Sequence, residues 1–526
     1  MDGVRGKPAD IFLELLSYNK KLKAKKNKEL KDPQEKLKTP RKNFKNLQGE
    51  FKSPQKEFKS LQKEFKNSAR NFYVENLGCA KNQVDAETII ALLCSKGWTH
   101  TSADNADMII VNSCGFILPA KEESINTVIS FRQQYPDKKI VLAGCLAQRY
   151  GKELAESLTE ADALFGNKFI REITDVADDF MNGSKKVHIP RASSASARAK
   201  AKTRITLTAK MPERVSLSFP GSIYVKIAEG CDNNCTYCAI PLIRGKLKSR
   251  DQKEIIAEIK NIISRGVFEI NLVAQDLASY GNDIRKHGKK ENLMTLLEKI
   301  SSLSGKIWIR LLYMHPDRFD PAVLEIMKTD KRIIPYFDIP FQHASEDILR
   351  KMGRKGNFSS YLKIVESIRT EIPESVIRST FLLGFPGEKN KDYLLVEEFL
   401  KEAKLDWAGF FPYSKEENTA AFDMGNSLDN FISSRTMQKR VLKLQETQIK
   451  ITEQNLARFE GKTFDILAEE DFPEEDIILG RGYMNAPDVD GSVIIHTDGI
   501  KKIKPGNVVK CKITKRNNID LEAFPV

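Results

Sequence analysis

The sequence lacks long hydrophobic runs and is poor in cysteine. No apolar stretch in its 526 residues approaches the roughly 20 residues that a membrane-spanning helix needs. The opening residues, MDGVRGKPADIFLELL, lack the basic start, apolar core and small-residue cleavage site of a secretory signal peptide. The 8 cysteines are too sparse for a disulfide framework and are typical of a reducing compartment. We therefore predict a cytoplasmic protein with no membrane partner, whose thiols serve chemistry.

The net charge of +14 lies mainly in two segments. Residues 1–70 contain 20 Lys or Arg against 9 Asp or Glu, and residues 184–214 contain 9 against 1. The first segment repeats an apolar residue every seven positions, but Pro33, Pro40 and Pro54 fall inside the repeats and disfavour a continuous helix. We predict a basic, disordered extension over 1–70. The alternative is an arm that contacts the ribosome or its RNA, because lysine-rich segments attract polyanions.

After the extension, strands alternate with helices, which is typical of parallel sheets. The runs FYVENLGC, ADMIIVNSC and KKIVLAGC have strand length, and each ends in a cysteine: Cys79, Cys114 and Cys145. Ligands of such sheets bind at the carboxyl ends of the strands, so we expect the three cysteines to converge in a Rossmann-like α/β domain over 71–183. The alternative is that each cysteine is a small buried filler.

Three further segments complete the predicted organisation. Residues 184–220, which include RASSASARAKAKTR, are predicted to form a basic linker. Six strand–helix units follow over 221–456, from IYVKIAE to WAGFFPY, and predict an incomplete (β/α)6 barrel of the TIM type with its site at the C-terminal strand ends. Residues 457–526 are rich in short strands and in Gly, Pro and Asp turns, which predicts a small β-barrel. The predicted fold class is therefore multidomain α/β.

A second group of cysteines stands in GCDNNCTYC, just after the first strand of the predicted barrel. Cys231, Cys235 and Cys238 have the spacing C-x3-C-x2-C, and no His or Cys occurs between 239 and 286. A structural zinc site needs four protein ligands, so this spacing disfavours zinc. A 4Fe–4S cluster held by three thiolates keeps one iron open for another ligand.

This pattern resembles the radical S-adenosylmethionine superfamily, in which the open iron binds S-adenosylmethionine and the reduced cluster cleaves it to a 5′-deoxyadenosyl radical. Seven stretches of the sequence indicate one particular family within this superfamily: ENLGCAKNQVDAE, VNSCGFI, AGCLAQRY, KIAEGCDNNCTYCAIPLIRG, LVAQD, YFDIPFQHAS and RSTFLLGFPGE. In this order, across residues 72–526, they are similar to the methylthiotransferases. Members of that family have an N-terminal domain with an auxiliary cluster, a radical core and a C-terminal β-barrel called TRAM.

The resemblance implies two 4Fe–4S clusters and S-adenosylmethionine as cofactors. By this resemblance the C-x3-C-x2-C triad holds the radical cluster, and Cys79, Cys114 and Cys145 hold the auxiliary cluster. The auxiliary cluster also keeps an open iron, suited to a sulfur atom that is methylated and delivered. No side chain is assigned a catalytic role beyond these ligands. We predict that the two remaining cysteines, Cys94 and Cys511, pack in the core as small hydrophobes.

Other motif positions are implied to contact the cofactor. They are Tyr237, between the last two ligands of the triad, Gln275 and Asp276 at a strand end, and Arg378 and Thr380 in RSTFLLGFPGE. For the last four, the alternative is a buried structural hydrogen bond or ion pair.

The last domain bears on the substrate. Residues 460–500 contain eleven acids and two bases, a surface that repels RNA and suits a basic protein. The stretch GRGYMNAPDVDGSV also resembles the branch of the family that modifies a ribosomal protein. We predict methylthiolation of the β-carbon of an aspartate in small-subunit ribosomal protein S twelve. The deoxyadenosyl radical removes a hydrogen, the carbon takes a methylthio group, and a second S-adenosylmethionine supplies the methyl group.

Several alternatives remain open. The enzyme could instead modify an adenosine in tRNA, or the chain could be a non-enzymatic RNA-binding protein whose cysteines hold structural metal. The acidic surface could also be merely solvated. Further expected partners are a reductant such as flavodoxin or ferredoxin, and the ribosome or ribosomal RNA through the basic extension.

Overall fold

The computed structural model describes residues 70–189, 212–285, 291–427, 432–497 and 503–526. The predicted extension over 1–70 lies almost entirely outside these residues, as does most of the predicted linker over 184–220. Within the described part of the chain, no helix is long and apolar enough to cross a membrane.

The N-terminal part is a six-stranded parallel sheet. Its strands are β1 (Asn71–Asn76), β2 (Thr99–His100), β3 (Met108–Ser113), β4 (Lys139–Gly144), β5 (Ala163–Gly166) and β6 (Val187–His188). Their spatial order is β2-β1-β3-β4-β5-β6. The helices are α1 (Ala80–Ser95), α2 (Leu118–Gln134), α3 (Cys145–Ser157) and α4 (Ile173–Asn182). Strand β3 is buried along its whole length, as expected for a parallel sheet that is covered on both faces.

Strand β6 corrects one predicted boundary. Val187 and His188 lie in the stretch predicted as linker, but they pair in parallel with Leu164 and Phe165 of β5. The ring of His188 also stacks on Phe165 with centroids 5.7 Å apart. The sheet therefore continues past residue 183, because a short strand without strong periodicity can be recruited by an exposed strand edge.

The described residues group into two compact units. The first contains residues up to 76, residues 89–113 and residues 123–213, and it includes the six-stranded sheet. The second contains residues 77–88, 114–122 and 214–526. The segments that follow β1 and β3, which carry Cys79 and Cys114, therefore belong to the second unit although their strands belong to the first.

The second unit contains an open parallel sheet of six strands. In spatial order these are β14 (Trp407–Pro412), β13 (Val376–Leu383), β12 (Ile333–Asp338), β11 (Trp308–Leu311), β10 (Glu269–Val273) and β7 (Ser222–Lys226). A separate two-stranded pair is formed by β8 (Ala228–Glu229) and β9 (Lys248–Ser249). This architecture confirms the predicted incomplete barrel.

Helices accompany the strands of this sheet, and several of them pack apolar residues against it. They are α5 (Ile240–Arg244), α6 (Gln252–Ser264), α7 (Asn282–Arg285), α8 (Leu293–Ser301), α9 (Ala322–Thr329), α10 (Glu346–Lys351), α11 (Phe358–Glu371), α12 (Asn390–Ala403), α13 (Ala420–Ser427) and α14 (Ser434–Leu456). Reciprocal side-chain caps by Asn292 and Asn357 begin α8 and α11, and each cap satisfies backbone N–H groups that the helix leaves open.

The C-terminal segment is a closed five-stranded barrel. Its strands are β15 (Thr463–Phe472), β16 (Ile477–Arg481), β17 (Val493–His496), β18 (Val508–Asn517) and β19 (Asp520–Pro525), in the order β15-β16-β17-β19-β18. Cys511 is fully buried in it, as predicted. Cys94 is exposed, so its predicted core position was wrong. It lies in the last turn of α1, where the neighbouring Leu93 takes the buried side of the helix.

The loop between β16 and β17 of this barrel packs against the inner face of the six-stranded sheet. Met484 and Ala486 share an apolar cluster with Tyr224, Leu312 and Tyr336 of the sheet. The inside of the incomplete barrel is thus partly filled by a different domain, which limits the space left for ligands to the C-terminal ends of its strands.

A buried ion-pair cluster fixes the same junction. Arg310 Nε and Arg481 Nη2 donate to the two carboxylate oxygens of Glu269 at 2.9 and 2.6 Å. Burial of Glu269 favours its protonated form, but the two guanidinium charges outweigh this and lower its pKa well below the ordinary value.

Candidate functional site

The loop between β8 and α5 carries the C-x3-C-x2-C triad. Gly230, just before the triad, has a φ of 72°, and a Cβ there would lie 2.2 Å from the carbonyl oxygen of Lys246. Only glycine fits this close backbone approach. The N–H of Cys231 donates to the carbonyl of Gly245 at 3.1 Å. The loop thus folds back on the end of α5, which fixes its first cysteine.

The middle of the loop is held by the end of α10. The N–H of Thr236 donates to the carbonyl of Met352 at 3.1 Å, and its hydroxyl donates to the carbonyl of Lys351 at 2.8 Å. The Sγ atom of Cys235 lies 4.0 Å from Nε2 of His315, which follows strand β11. These contacts place the triad at the C-terminal ends of the barrel strands, as predicted.

Burial and repulsion from neighbouring negative charge raise the pKa values of Cys231 and Cys238. Burial raises the pKa of Cys238 to about 12, and negative charge on Cys235 and Cys231 adds to the effect. Burial likewise raises the pKa of Cys231 to about 11, with Asp276 and Cys235 adding to it. The three thiols therefore lie close enough to repel one another as thiolates. A positively charged metal cluster would offset this repulsion and favour the thiolate forms.

The triad fits a cluster better than a single ion. Among the residues that the structure describes, no three His, Cys, Asp or Glu side chains meet closely enough to bind one metal ion. In a 4Fe–4S cluster the thiolates bind different irons, so they surround the cluster and need not converge on one point. Three neighbouring thiols on a tightly anchored loop suit that geometry.

The other predicted triad begins at the sheet of the first unit. Strands β3 and β4 are paired so that Ser113 lies opposite Gly144, and Cys114 and Cys145 are the next residues along the chain. Cys145 is buried at the start of α3, where Asn167 Nδ2 donates to its Sγ at 3.3 Å. The register confirms that these cysteines follow directly after neighbouring strand ends.

Within the second unit, Cys114 lies beside Gly78, the residue that precedes Cys79. Gly78 has a φ of 100°, and a Cβ there would lie 3.0 Å from Cβ of Cys114 and 3.5 Å from its Sγ. Desolvation by neighbouring protein atoms raises the pKa of Cys79. The positive charges of Lys81 and Arg244, together with backbone N–H groups, outweigh this effect, so the pKa is lowered overall. Two of the three predicted auxiliary ligands therefore lie on neighbouring segments, and the pKa of one of them is lowered, which favours its thiolate form.

An ion-pair cluster in the second unit ties the Cys79 segment to the C-x3-C-x2-C loop. Arg244 donates to Asp85 at 3.0 Å, to Glu229 at 2.8 Å and to Asn82 at 2.7 Å. Lys226 Nζ completes the cluster with Asp85 and Glu229 at 2.5 Å each. Asn82 and Asp85 lie on α1, whereas Glu229 and Arg244 flank the triad loop. The two cysteine-bearing segments are thus held in a fixed relation.

Two of the predicted cofactor contacts adjoin this region. The hydroxyl of Tyr237 accepts a hydrogen bond from Nη2 of the buried Arg354 at 3.2 Å. Gln275 Nε2 donates to Glu229 at 2.9 Å, and its Oε1 is buried without a hydrogen-bond partner in the structure. An unpaired buried carbonyl oxygen favours a donor from a ligand at this position.

Asp276 has a structural role in the described contacts. Its carboxylate accepts hydrogen bonds from Asn233 Nδ2 at 2.8 Å, from the N–H of Ala278 at 3.0 Å and from the N–H of His315 at 3.2 Å. It thereby joins the triad loop to the turn after β11. This supports the structural alternative for Asp276, and any contact of Asp276 with cofactor stays a prediction.

Arg378 and Thr380 lie on β13. Arg378 Nη1 donates to Asp338 at 3.1 Å, and its Nε lies 3.4 Å from Asp490 of the C-terminal barrel. The carbonyl of Thr380 accepts from the N–H of Gln342 at 2.7 Å. Both positions remain predicted contacts, with Arg378 already engaged by two carboxylates.

Sequence reasoning missed four residues of this site: Lys81, Tyr313, His315 and Asp490. Tyr313 and His315 follow the end of a barrel strand, in the same position that singled out Gln275. Both residues could have been found from the rule that functional residues of such a barrel lie just after the C-terminal ends of its strands. Lys81 stands inside a cysteine motif, and Asp490 arrives from another domain without any local signal.

Three family models match consecutive parts of the chain. Residues 71–166 match the model described as "Uncharacterized protein family UPF0004", residues 225–400 match the radical SAM superfamily, and residues 461–526 match the TRAM domain. Together they reproduce the predicted order of an N-terminal domain, a radical core and a TRAM barrel.

Full-length relatives are also similar to this chain. The ribosomal protein uS12 methylthiotransferase RimO of Treponema denticola is 43% identical over 476 residues, which cover 85% of this chain and 99% of that protein. The RimO of Carboxydothermus hydrogenoformans is 37% identical over 454 residues, covering 86% and 98%. Among solved structures, the radical S-adenosylmethionine methyltransferase TsrM of Kitasatospora setae aligns with a TM-score of 0.46 and 13% identity over 68% of this chain and 77% of that chain. At the identities and coverages of the two RimO relatives, the chain belongs to the RimO family of radical S-adenosylmethionine methylthiotransferases.

Proposed function

We propose that this chain attaches a methylthio group to the β-carbon of an aspartate in ribosomal protein uS12, the small-subunit protein S twelve. The observation that carries the proposal is the 43% identity with a relative that is named for this substrate and is covered over 99% of its length. The cytoplasm is the proposed location.

We propose two 4Fe–4S clusters as cofactors, with Cys231, Cys235 and Cys238 holding the first. Cys79, Cys114 and Cys145 would hold the second. When bound, the clusters and S-adenosylmethionine supply the radical and sulfur chemistry, as in other cofactor enzymes where the protein provides binding and orientation. The position of Cys114 beside Gly78, which precedes Cys79, and the mutual repulsion of the first triad support this assignment.

The chain's own residues position the two sites. Arg244 is buried and joins the segment after Cys79 to the loop of the first triad. Arg354 holds Tyr237 beside that triad, and Gln275 presents an unpaired carbonyl oxygen. We propose Tyr237 and Gln275 as contacts to S-adenosylmethionine, with Arg378 and Thr380 further along the same strand ends.

The charge on the surface of the TRAM barrel helps to decide whether the substrate is a protein or an RNA. Five acidic residues at the β15–β16 hairpin are exposed: Glu470, Asp471, Glu474, Glu475 and Asp476. One of the two bases in this segment, Arg481, is buried against Glu269 and contributes nothing to the surface. The hairpin therefore offers negative charge to a partner, which suits a basic ribosomal protein and speeds its encounter.

One observation favours the second candidate, a tRNA adenosine methylthiotransferase. Strand β18 of the same barrel exposes Lys510, Lys512, Lys515 and Arg516. The last two form ion pairs with Glu522 and Glu460, which leaves two lysines as the main positive charge. Two lysines make few phosphate contacts, whereas stable RNA binding rests on many.

Mass spectrometry of uS12 tests the proposal. The chain would be reconstituted anaerobically with iron and sulfide, supplied with S-adenosylmethionine and a reductant such as flavodoxin or ferredoxin, and incubated in parallel with uS12 and with tRNA. We expect one SCH3 group in place of a hydrogen on an aspartate of uS12. Methylthiolation of tRNA alone would contradict the proposal, and a colourless zinc protein without turnover would contradict enzyme function altogether. The basic extension would be tested separately, by removing residues 1–70 and measuring ribosome binding.

A further inference from the structure

Lys81 carries a buried positive charge without a carboxylate partner within hydrogen-bond distance, and the Cys79 thiol is a negative neighbour of this charge only when it is ionised. The residue is 8% exposed, and its Nζ lies 3.5 Å from the centroid of the Tyr313 ring. Within the described ranges, no hydrogen bond or ion pair joins this ammonium to a carboxylate. A buried ammonium that is not paired is costly, so the position implies an anion that binds there.

Two other lysines of the second unit, one buried and one partly buried, are paired with carboxylates. Lys121, 2% exposed, lies 2.9 Å from Glu416 and 3.6 Å from Glu417. Lys226 likewise has two carboxylate partners within the Arg244 cluster. Lys81 differs from both of these lysines, which follow the usual rule that a charge with little exposure is paired.

The carboxylate that acts electrostatically on Lys81 is already engaged by other groups. Asp338 uses one carboxylate oxygen for Arg378 Nη1 at 3.1 Å and the other for the N–H of Tyr313 at 3.1 Å. Its charge is therefore largely balanced by Arg378. An anion from a bound ligand would balance the positive charge of the Lys81 ammonium.

The helix that carries Lys81 adds to this requirement. Lys81 is the second residue of α1, which has 16 residues and no acidic side chain in its first turn. A helix N-terminus carries partial positive charge, so a lysine there is unfavourable unless an anion is bound. The backbone N–H groups of Lys81 and Asn82 already face the Cys79 thiol. The ammonium lies over Tyr313 instead, which leaves it available to a second group.

We infer that Lys81 is a specificity-determining residue that binds the side-chain carboxylate of the substrate aspartate. This inference rests on the proposed function. The β-carbon to be modified is bonded directly to that carboxylate carbon. An anchor two residues from Cys79 therefore places this carbon beside the residues proposed to hold the auxiliary cluster. The Tyr313 ring holds the ammonium in place by a cation–π contact and contributes apolar surface.

A binding experiment with matched peptides tests the inference. Reconstituted enzyme with S-adenosylmethionine would be titrated with a fluorescent uS12 peptide that contains the target aspartate, and with the same peptide carrying asparagine. We expect the native enzyme to prefer the aspartate peptide. Lys81→Met should weaken binding of that peptide on the order of 100-fold, because it removes a buried charge-assisted contact. It should leave the asparagine peptide unchanged. Lys81→Arg should keep a preference for aspartate.

Lys96→Met is the matched control, since Lys96 is exposed just beyond the same helix. It should bind both peptides as the native enzyme does. Equal discrimination by native enzyme and Lys81→Met would overturn the inference. So would loss of the iron of one cluster in Lys81→Met, because the lysine would then serve to balance cluster charge. If the native enzyme methylthiolates tRNA and ignores the aspartate peptide, the proposed function fails instead, which keeps the two failures distinct.

Discussion

Asp490 of the TRAM barrel lies 3.4 Å from Nε of Arg378 on strand β13 of the radical core. Its other carboxylate oxygen accepts hydrogen bonds from the hydroxyl of Tyr336 at 2.5 Å and from the N–H of Ala486 at 2.8 Å. The terminal domain thus contributes a carboxylate to the inner face of the barrel. It influences the guanidinium of Arg378, which we propose as a contact to S-adenosylmethionine.

The ionisation of Asp490 should make stability depend on pH. Burial raises its pKa to about 6, against the opposing charge of Arg378. Between the ordinary pKa of about 4 and this value, the native state holds a proton that the unfolded state has lost, so stability falls as pH rises through this window. The loss is about 3 kcal/mol in total and levels off above pH 6.

Asp490→Asn imitates the protonated form and should lack this dependence. Urea unfolding of both proteins between pH 4.5 and 7.5 would measure the free energy of unfolding of each. As pH rises, the stability of the variant should increase relative to that of the native protein. Parallel curves over the whole range would show that Asp490 titrates normally.

Cys235→Ala should remove one cluster only. We expect about four fewer irons per chain, because each 4Fe–4S cluster carries four. Production of 5′-deoxyadenosine should cease, since the open iron that binds S-adenosylmethionine is lost. An iron assay and product chromatography would measure both. Cys94→Ala is the control, because Cys94 is exposed and outside either triad. Full iron content in Cys235→Ala would contradict the assignment.

Gly78→Ala should disturb the auxiliary site. The added Cβ would lie 3.0 Å from Cβ of Cys114, and the φ of 100° is unfavourable for alanine. Gly97→Ala separates the steric clash from the backbone strain. Gly97 also has a positive φ, of 86°, but nothing lies within 4 Å of its Cβ position. Both variants should lose on the order of 1 kcal/mol of stability to backbone strain. Only Gly78→Ala should retain the iron of one cluster instead of two, and equal iron contents would refute the contact.

Arg244→Met should destabilise the protein strongly. It leaves the buried carboxylate of Asp85 and the partly buried carboxylate of Glu229 with Lys226 as their remaining cation. Breaking a buried ion pair in this way costs about 3–5 kcal/mol. Arg244→Lys should recover only part of this, because an ammonium cannot reach three partners with the planar geometry of guanidinium.

Arg350→Met serves as the comparison for that variant. Arg350 is exposed, and the ion pair that it forms among the described residues is with the exposed Asp347 at 2.6 Å. Exposed pairs contribute roughly 0–1 kcal/mol, so its urea midpoint should hardly move. If Arg244→Met lost as little stability in urea unfolding as Arg350→Met, the Arg244 cluster would not stabilise the contact between the two cysteine-bearing segments.

Much of the site could be predicted from local patterns. The strand ends that carry Cys114 and Cys145 follow from apolar runs of strand length, and the register of β3 and β4 confirms their placement. Cys94 was misplaced because an apolar stripe on a short helix does not tell which residue of the last turn faces outward. The boundary at residue 183 failed for a similar reason, since the two-residue strand β6 has no periodicity of its own.

The sequence by itself determined the order of domains, the strand ends that carry cysteines and the family, because motif spacing and short-range periodicity are local properties of a chain. Only the tertiary structure decided that Asp490 reaches Arg378 and that Lys81 rests on Tyr313 without a carboxylate partner. Those relationships join residues that are far apart in the chain. They depend on how whole domains pack, and no local pattern encodes that packing.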